Sequence, residues 1–332
     1  MTLKFKFQIT LFFALAAMVF SSCQRNDDGN SRRLEVPSNL SITDSSFFPE
    51  DIVVAHNTVY VSGLGDGTIR SFDLTEETPT ANTFAAAKTG YSQRWGLTAN
   101  KKVLLSIANN ADFGGGAPGA SKLIEYDRED GTETNSWDLP SSTIGHTVSI
   151  VEGKYYVSDF ANPRIIEVDP ESGNVNESWF TSSKWDPSID GNLGGVIYDK
   201  KGGFYAYLGF KLWYLPIDKG EPGELQEVSI SGLSAEQINV DGITWVKRNN
   251  TLYYASNDTG NPENVGTVYK LEFSDETTAE GSIVKTGLDD TSGLWHLKSR
   301  EGEYLLVCES QFGALFGING FEGPFNIEVI SL

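Results

Sequence analysis

Cysteine and basic residues are what this chain is short of. Two cysteines in 332 residues supply no disulfide framework, and neither sits in the CxxC spacing of a zinc site. Lys and Arg number 25 against 45 Asp and Glu, a formal net charge of -20. That field repels a phosphate backbone, so nucleic acid is excluded as a partner, while cations and neutral ligands are favoured. Helical periodicity is missing along the chain. No Ser, His and Asp fall in an order or spacing that marks a nucleophilic triad. Gly63-Leu64-Gly65-Asp66-Gly67 follows a β-rich run but opens no helix, so it reads as a hairpin turn and not as a phosphate loop. Aromatic residues are plentiful, with 19 Phe, 13 Tyr and 7 Trp. A disordered chain lacks such core-forming residues.

The first 22 residues read as an export signal. Lys4 and Lys6 precede the apolar run Ile9–Phe20, which is shorter than the ~20 apolar residues of a membrane span. Phe20-Ser21-Ser22-Cys23 resembles a bacterial lipobox, although Phe20 stands where an aliphatic residue is usual. Cys23 is then the lipidated N-terminus and residues 23–33 a polar tether. Gln24 is not the Asp that often marks inner-membrane retention. Asp27-Asp28 resembles the surface-export tag of some Gram-negative lipoproteins. The expected location is the cell envelope, at the outer membrane, with lipid as the membrane contact. An ordinary secretory signal cut near Ser22 is the alternative.

From residue 34 to 332 the chain repeats. One unit reads Asp241-Gly242-Ile243-Thr244-Trp245-Val246, then Thr251–Ser256, Gly266–Phe273 and Gly281–Lys285. These are four short β-rich runs parted by Gly, Asn and Asp turns. Aligned on the residue before the first aliphatic, the units start at Asp51, Gly96, Thr147, Gly195, Gly242 and Gly293, 45 to 51 residues apart. Six near-equal four-stranded antiparallel meanders predict an all-β, six-bladed β-propeller in one domain. A sandwich does not predict this spacing. The last unit, ending in Phe325–Ile330, is expected to supply all four of its strands. Residues 34–48 are then free to cover an outer edge or the base. A monomer is expected.

In a propeller the residues just before the inner strands converge at one end of the central channel. That position holds Glu50, Trp95, His146, Gly194, Asp241 and Ser292, with Arg94, Asn192, Asn239 and Asp290 one or two residues away. Oxygen ligands from separate blades suit a hard divalent cation, calcium above all, and a histidine among them also admits a transition metal. The alternative is that each acid only caps its own turn. His296 reads as a packed histidine, His56 as an exposed turn residue, and Cys308 as a buried free thiol.

Pro49-Glu50, Asp241-Gly242 and Lys154-Tyr155-Tyr156-Val157-Ser158-Asp159-Phe160 resemble the SMP-30/gluconolactonase group, over roughly residues 47 to 332. The resemblance implies a divalent cation at the channel mouth, hydrolysis of lactones or related cyclic esters, and a small-molecule ligand there. It implies Glu50 and Asp241 as metal ligands, with Asp241 also moving the proton. The blade-four Asn of that group is Gly194 here, and Asn192 is the substitute expected as third ligand. The substrate-contacting blade-three position is His146, and Trp95 and Arg94 are expected to contact substrate beside it. The competing function is a non-catalytic propeller that binds a ligand or protein at its rim.

Overall fold

In the computed structural model the described residues are 36–111, 119–185, 192–257, 265–318, 320–321 and 323–332. The export signal, Cys23 and the tether lie outside them, as does the middle of the blade-two insertion after Asn109. Six small sheets follow one another along the chain. Blade one comprises Pro49–Ala55, Thr58–Gly63, Ile69–Asp73 and Asn82–Ala85. Blade two comprises Gln93–Ala99, Val103–Asn109, Ser121–Asp127 and Glu133–Asp138. Blade three comprises Gly145–Val151, Lys154–Asp159, Arg164–Val168 and Val175–Thr181. Blade four is built on Val196–Tyr198, Gly203–Leu208 and Lys211–Asp218, and its outer edge is split into Glu221–Pro222 and Gln226–Glu227. Blade five, Ile243–Val246, Thr251–Ser256, Gly266–Asp275 and Thr278–Leu288, carries Ser229–Ser231 as an added parallel edge strand. The chain therefore forms the six-bladed β-propeller that its period predicts.

The turns explain why the meanders are tight. Between the first two strands of blade three, Glu152 and Gly153 have φ of 51° and 86°. Two successive positive φ values match the right-handed twist of a two-residue hairpin. His56, with φ 55°, belongs to the corresponding hairpin of blade one and is exposed. The second strands are nearly buried throughout, as in Phe204–Leu208. Each blade lies between two neighbours, so its middle strands see apolar surface on both faces.

All six inner strands share one irregularity. Glu50 and Asp51 together oppose Ser62, because Pro49 pairs with Gly63 and Ile52 with Val61. Trp95–Gly96 oppose Ile107, His146–Thr147 oppose Ser158, and Ser292–Gly293 oppose Cys308. In blade four Gly194 N–H donates to Tyr207 O, and Tyr207 N–H donates to Gly195 O. In blade five the same two bonds join Asp241 and Gly242 to Ala255. Each is a β-bulge, two residues against one, which re-aims a side chain. At these points neighbouring inner strands come close: a Cβ on Gly242 would stand 2.3 Å from Ser292 O. Asp51 and Thr147 instead reach across, Asp51 Oδ2 accepting from Leu97 N–H at 2.7 Å and Thr147 Oγ1 from Val196 N–H at 3.1 Å.

Blade six corrects an expectation. The C-terminal unit supplies only Thr291–Lys298, Glu303–Glu309 and Phe325–Ser331. The fourth, outermost strand is Asn39–Ile42 from the other end of the chain, antiparallel to Phe325–Ser331. Among the described residues between the second and third strands of this blade stand a short helix, Phe312–Leu315, and loop, with no further strand. Leu40 and Ile42 are buried against Phe72, Cys308 and Phe325. Burying two such side chains is worth about 3–6 kcal/mol, a large share of the ~5–15 kcal/mol that holds a domain folded. Closure by this strand is thus a principal stabilising element.

Candidate metal centre at the channel mouth

The bulges turn alternate blades into a donor set. Glu50 of blade one, His146 of blade three and Asp241 of blade five each place one ligand atom within 4.8 Å of the others. His146 Nε2 lies 3.8 Å from Glu50 Oε1 and 3.6 Å from Asp241 Oδ1. Both separations exceed a hydrogen bond. They match the spread of separate donors on one ion, whose metal–ligand distances of roughly 2.0–2.6 Å put donor atoms about 3–5 Å apart. Glu50 and His146 are 7% and 6% exposed, while Asp241 is the more open of the three.

Electrostatics make this cluster costly without a cation. Burial raises the Glu50 carboxyl well above its usual range, and the charges of Asp241 and Asp51 raise it further. Asp51 is pushed up to about 6 by burial, against the pull of its bonds from Leu97 and Ile52 N–H. Two acids with one imidazole leave uncompensated negative charge in a low-dielectric place, which a bound cation relieves. The His146 ring is fixed by aromatic contact. Trp95 meets it edge-on with centroids 5.2 Å apart, and Phe160 lies 5.4 Å away at 30°. Its Nδ1 is buried without a hydrogen-bond partner among the described residues. Nε2 is therefore the nitrogen aimed at the carboxylates. The donor chemistry and the aim of the imidazole fit a divalent ion.

Sequence reasoning missed a supporting chain on the blade-five side. Asn257 Nδ2 donates to Asp241 Oδ2 at 2.6 Å and to Thr291 O at 3.1 Å. Asn239 Nδ2 donates to Asn257 O at 2.9 Å, and Tyr207 Oη donates to Asn239 Oδ1 at 3.3 Å. Asn257 stands two residues beyond the bulge partner Ala255. Asn109 holds the same place in blade two and donates to Gly145 O at 2.7 Å. An Asn two places past the second-strand centre was a legible signal, and it recurs.

The remaining expected residues fall elsewhere. Arg94 is fully buried and spent on structure: Nε donates to Gly67 O, Nη2 donates to Ala86 O, and the guanidinium lies over the Tyr126 ring. Asn192 is exposed, two residues before Gly194. Gly194 has no room for the Asn of the family it resembles, because a Cβ there would stand 2.7 Å from Tyr207 Cδ1 and 2.9 Å from Val240 O. Ser292 Oγ donates to Pro49 O at 3.1 Å and bonds Ser310, tying blade six to blade one. Asp290 accepts from Gly313 N–H at 2.7 Å and so anchors the short helix. His296 is half-buried against Glu303, and Cys308 is a buried free thiol.

Comparison with known proteins bears on the fold. No family model matches the chain, and no curated protein matches it. Solved structures do. The major allergen Mala s 1 of Malassezia sympodialis is 14% identical, with TM-score 0.63, over 90% of this chain and 97% of that one. An auxiliary nutrient binding protein from Bacteroides ovatus is 11% identical, with TM-score 0.59, over 86% of this chain and 70% of that one. Hydrazine synthase of Kuenenia stuttgartiensis is 11% identical, with TM-score 0.53, over 87% and 88%. At these identities the likeness is one of architecture.

Proposed function

We propose that Glu50, His146 and Asp241 hold a divalent cation and that the mouth of this propeller hydrolyses a lactone or related cyclic ester, on a protein lipid-anchored through Cys23 at the cell envelope. The observation that carries the reading is an imidazole aimed at two carboxylates from distances too long for hydrogen bonds. When bound, such an ion polarises a carbonyl and lowers the pKa of water. His146 takes the third ligand position that Asn192 had in the sequence-based expectation. An imidazole in the set favours a borderline ion such as zinc over calcium. Asp241 is the most accessible of the three and is held by Asn257, so it is the group placed to take a proton from water at the mouth. Anchoring is tested separately: Cys23→Ser should release a soluble form.

A second reading has its own support. Glu50, His146 and Trp95 are each at most 7% exposed, a degree of enclosure that suits retention of a ligand. One structural neighbour is a nutrient binding protein. In that reading the site holds a ligand without turning it over. Melting curves with Ca²⁺, Mg²⁺, Mn²⁺ and Zn²⁺, each against chelator, test the cation. A concentration-dependent rise is expected by mass action, and identical curves in all conditions defeat the metal centre. Lactone turnover that depends on the ion and is lost in Asp241→Asn favours hydrolysis. An ion-dependent melting shift with no turnover favours the binding protein.

A further inference from the structure

The mouth has an apolar side and a polar side, and the position two residues beyond the bulge partner contributes to both. In blades two and five that position is Asn109 and Asn257, which tie the next blade through backbone carbonyls. In blades one and three it is Leu64 and Phe160. Leu64 is buried with Trp95 in one apolar cluster, against which Phe48 and Phe160 pack. Trp95 and Phe160 have ring centroids 5.8 Å apart, and both touch the His146 ring. The blade-six helix belongs to the same cluster: Phe312 is buried in it and Leu315 packs on it. The blade-five side is polar, with Asp241, Asn257, Asn239 and Tyr207 in one hydrogen-bonded chain.

We propose that the ligand of this site carries an oxygen donor on a compact apolar or aromatic body. The donor lies toward Asp241 and the body lies against Phe160, the partly accessible ring of the apolar cluster that buried Trp95 and Phe312 back. This rests on the cation site proposed above and names its substrate class. A polyhydroxylated body would leave hydroxyls facing aromatic carbon with no partner, and such unpaired polar groups weigh heavily against binding. A flat apolar body gains contact with the Phe160 ring and loses little. Phe160 is the partly accessible member of the wall, so it is the ring an incoming ligand meets.

Phenylacetate and glucuronate separate the two cases, since each presents one carboxylate on a six-membered body, one apolar and one covered with hydroxyls. Both are titrated calorimetrically into the zinc-loaded protein. Phenylacetate should bind at least about tenfold tighter. Phe160→Ala, titrated at a zinc concentration that saturates the variant's own melting shift, should remove about that factor for phenylacetate. Glucuronate binding as tightly as phenylacetate overturns the inference without any variant, and so does an unchanged phenylacetate affinity in Phe160→Ala. A phenylacetate preference that persists in chelator, with no zinc shift, supports the apolar body and defeats the cation reading alone. A zinc shift without the preference defeats this inference alone.

Discussion

Odd and even blades use one bulge for opposite ends. Blades one, three and five place Glu50, His146 and Asp241 there, and these converge on a common point. Blades two, four and six place Trp95, Gly194 and Ser292 there, and none of these supplies a charge. Trp95 walls the histidine, Gly194 makes way for Tyr207, and Ser292 locks blade six to blade one. A donor on every blade would crowd six polar groups into one opening. Alternation spaces three donors around the channel and leaves the intervening positions to pack. The same backbone device thus supplies either chemistry or cohesion, and the side chain alone decides which.

The sharpest break comes from removing an odd-blade donor. His146→Ala should lower ion affinity by more than the ~10–100-fold that loss of an outer partner costs, read as loss of the ion-dependent melting shift. Asn257→Ala, which frees Asp241 Oδ2, should fall within that ~10–100-fold range. On the even side, Gly194→Asn introduces the residue that the resemblance would place there but drives a Cβ into Tyr207 and Val240 O. It should destabilise by about 1–3 kcal/mol and leave ion affinity no higher, by chemical denaturation and by metal titration. A gain in affinity would erase the distinction between odd and even blades.

A smaller difference concerns pH. Asp51, raised to about 6, holds its proton more tightly folded than unfolded. It therefore favours the fold below its unfolded pKa, and that advantage is lost as pH climbs through about 6. In chelator, Asp51→Asn should flatten the pH dependence of stability between about pH 4 and pH 7 by on the order of 1–3 kcal/mol relative to the parent. Parallel profiles would remove Asp51 from the account. The least effect is expected at Ser292→Ala, about 1 kcal/mol with the ion response unchanged.

Much of this architecture is legible in the sequence. Bladed periodicity is written in the spacing of Asp51, Gly96, Thr147, Gly195, Gly242 and Gly293, because each blade must meet its neighbour at the same point. The pairing of Glu50 with Asp241 follows from that register. The same register places His146 beside them, but the resemblance implied it as a substrate contact, and only its 3.8 Å and 3.6 Å approaches to the two carboxylates mark it as a candidate ligand. The blade-six strand was misplaced because Asn39–Ile42 is only four residues long, and its partner is at the far end of the chain. Arg94 looked like a substrate contact by adjacency to Trp95, but successive side chains on a strand face opposite ways. No local signal distinguishes the two faces there.

Closure has a consequence in time. Asn39 pairs with Glu328, so the first of the described strands to be synthesised is completed by the last. At about 5–20 residues per second that interval is on the order of 15–60 s. Through it Leu40 and Ile42 lack their blade-six partners, and the Asn39–Ile42 strand has unpaired edges of the kind that invite pairing with other chains. The ring is therefore most exposed to misassembly at its seam, and late in its own making.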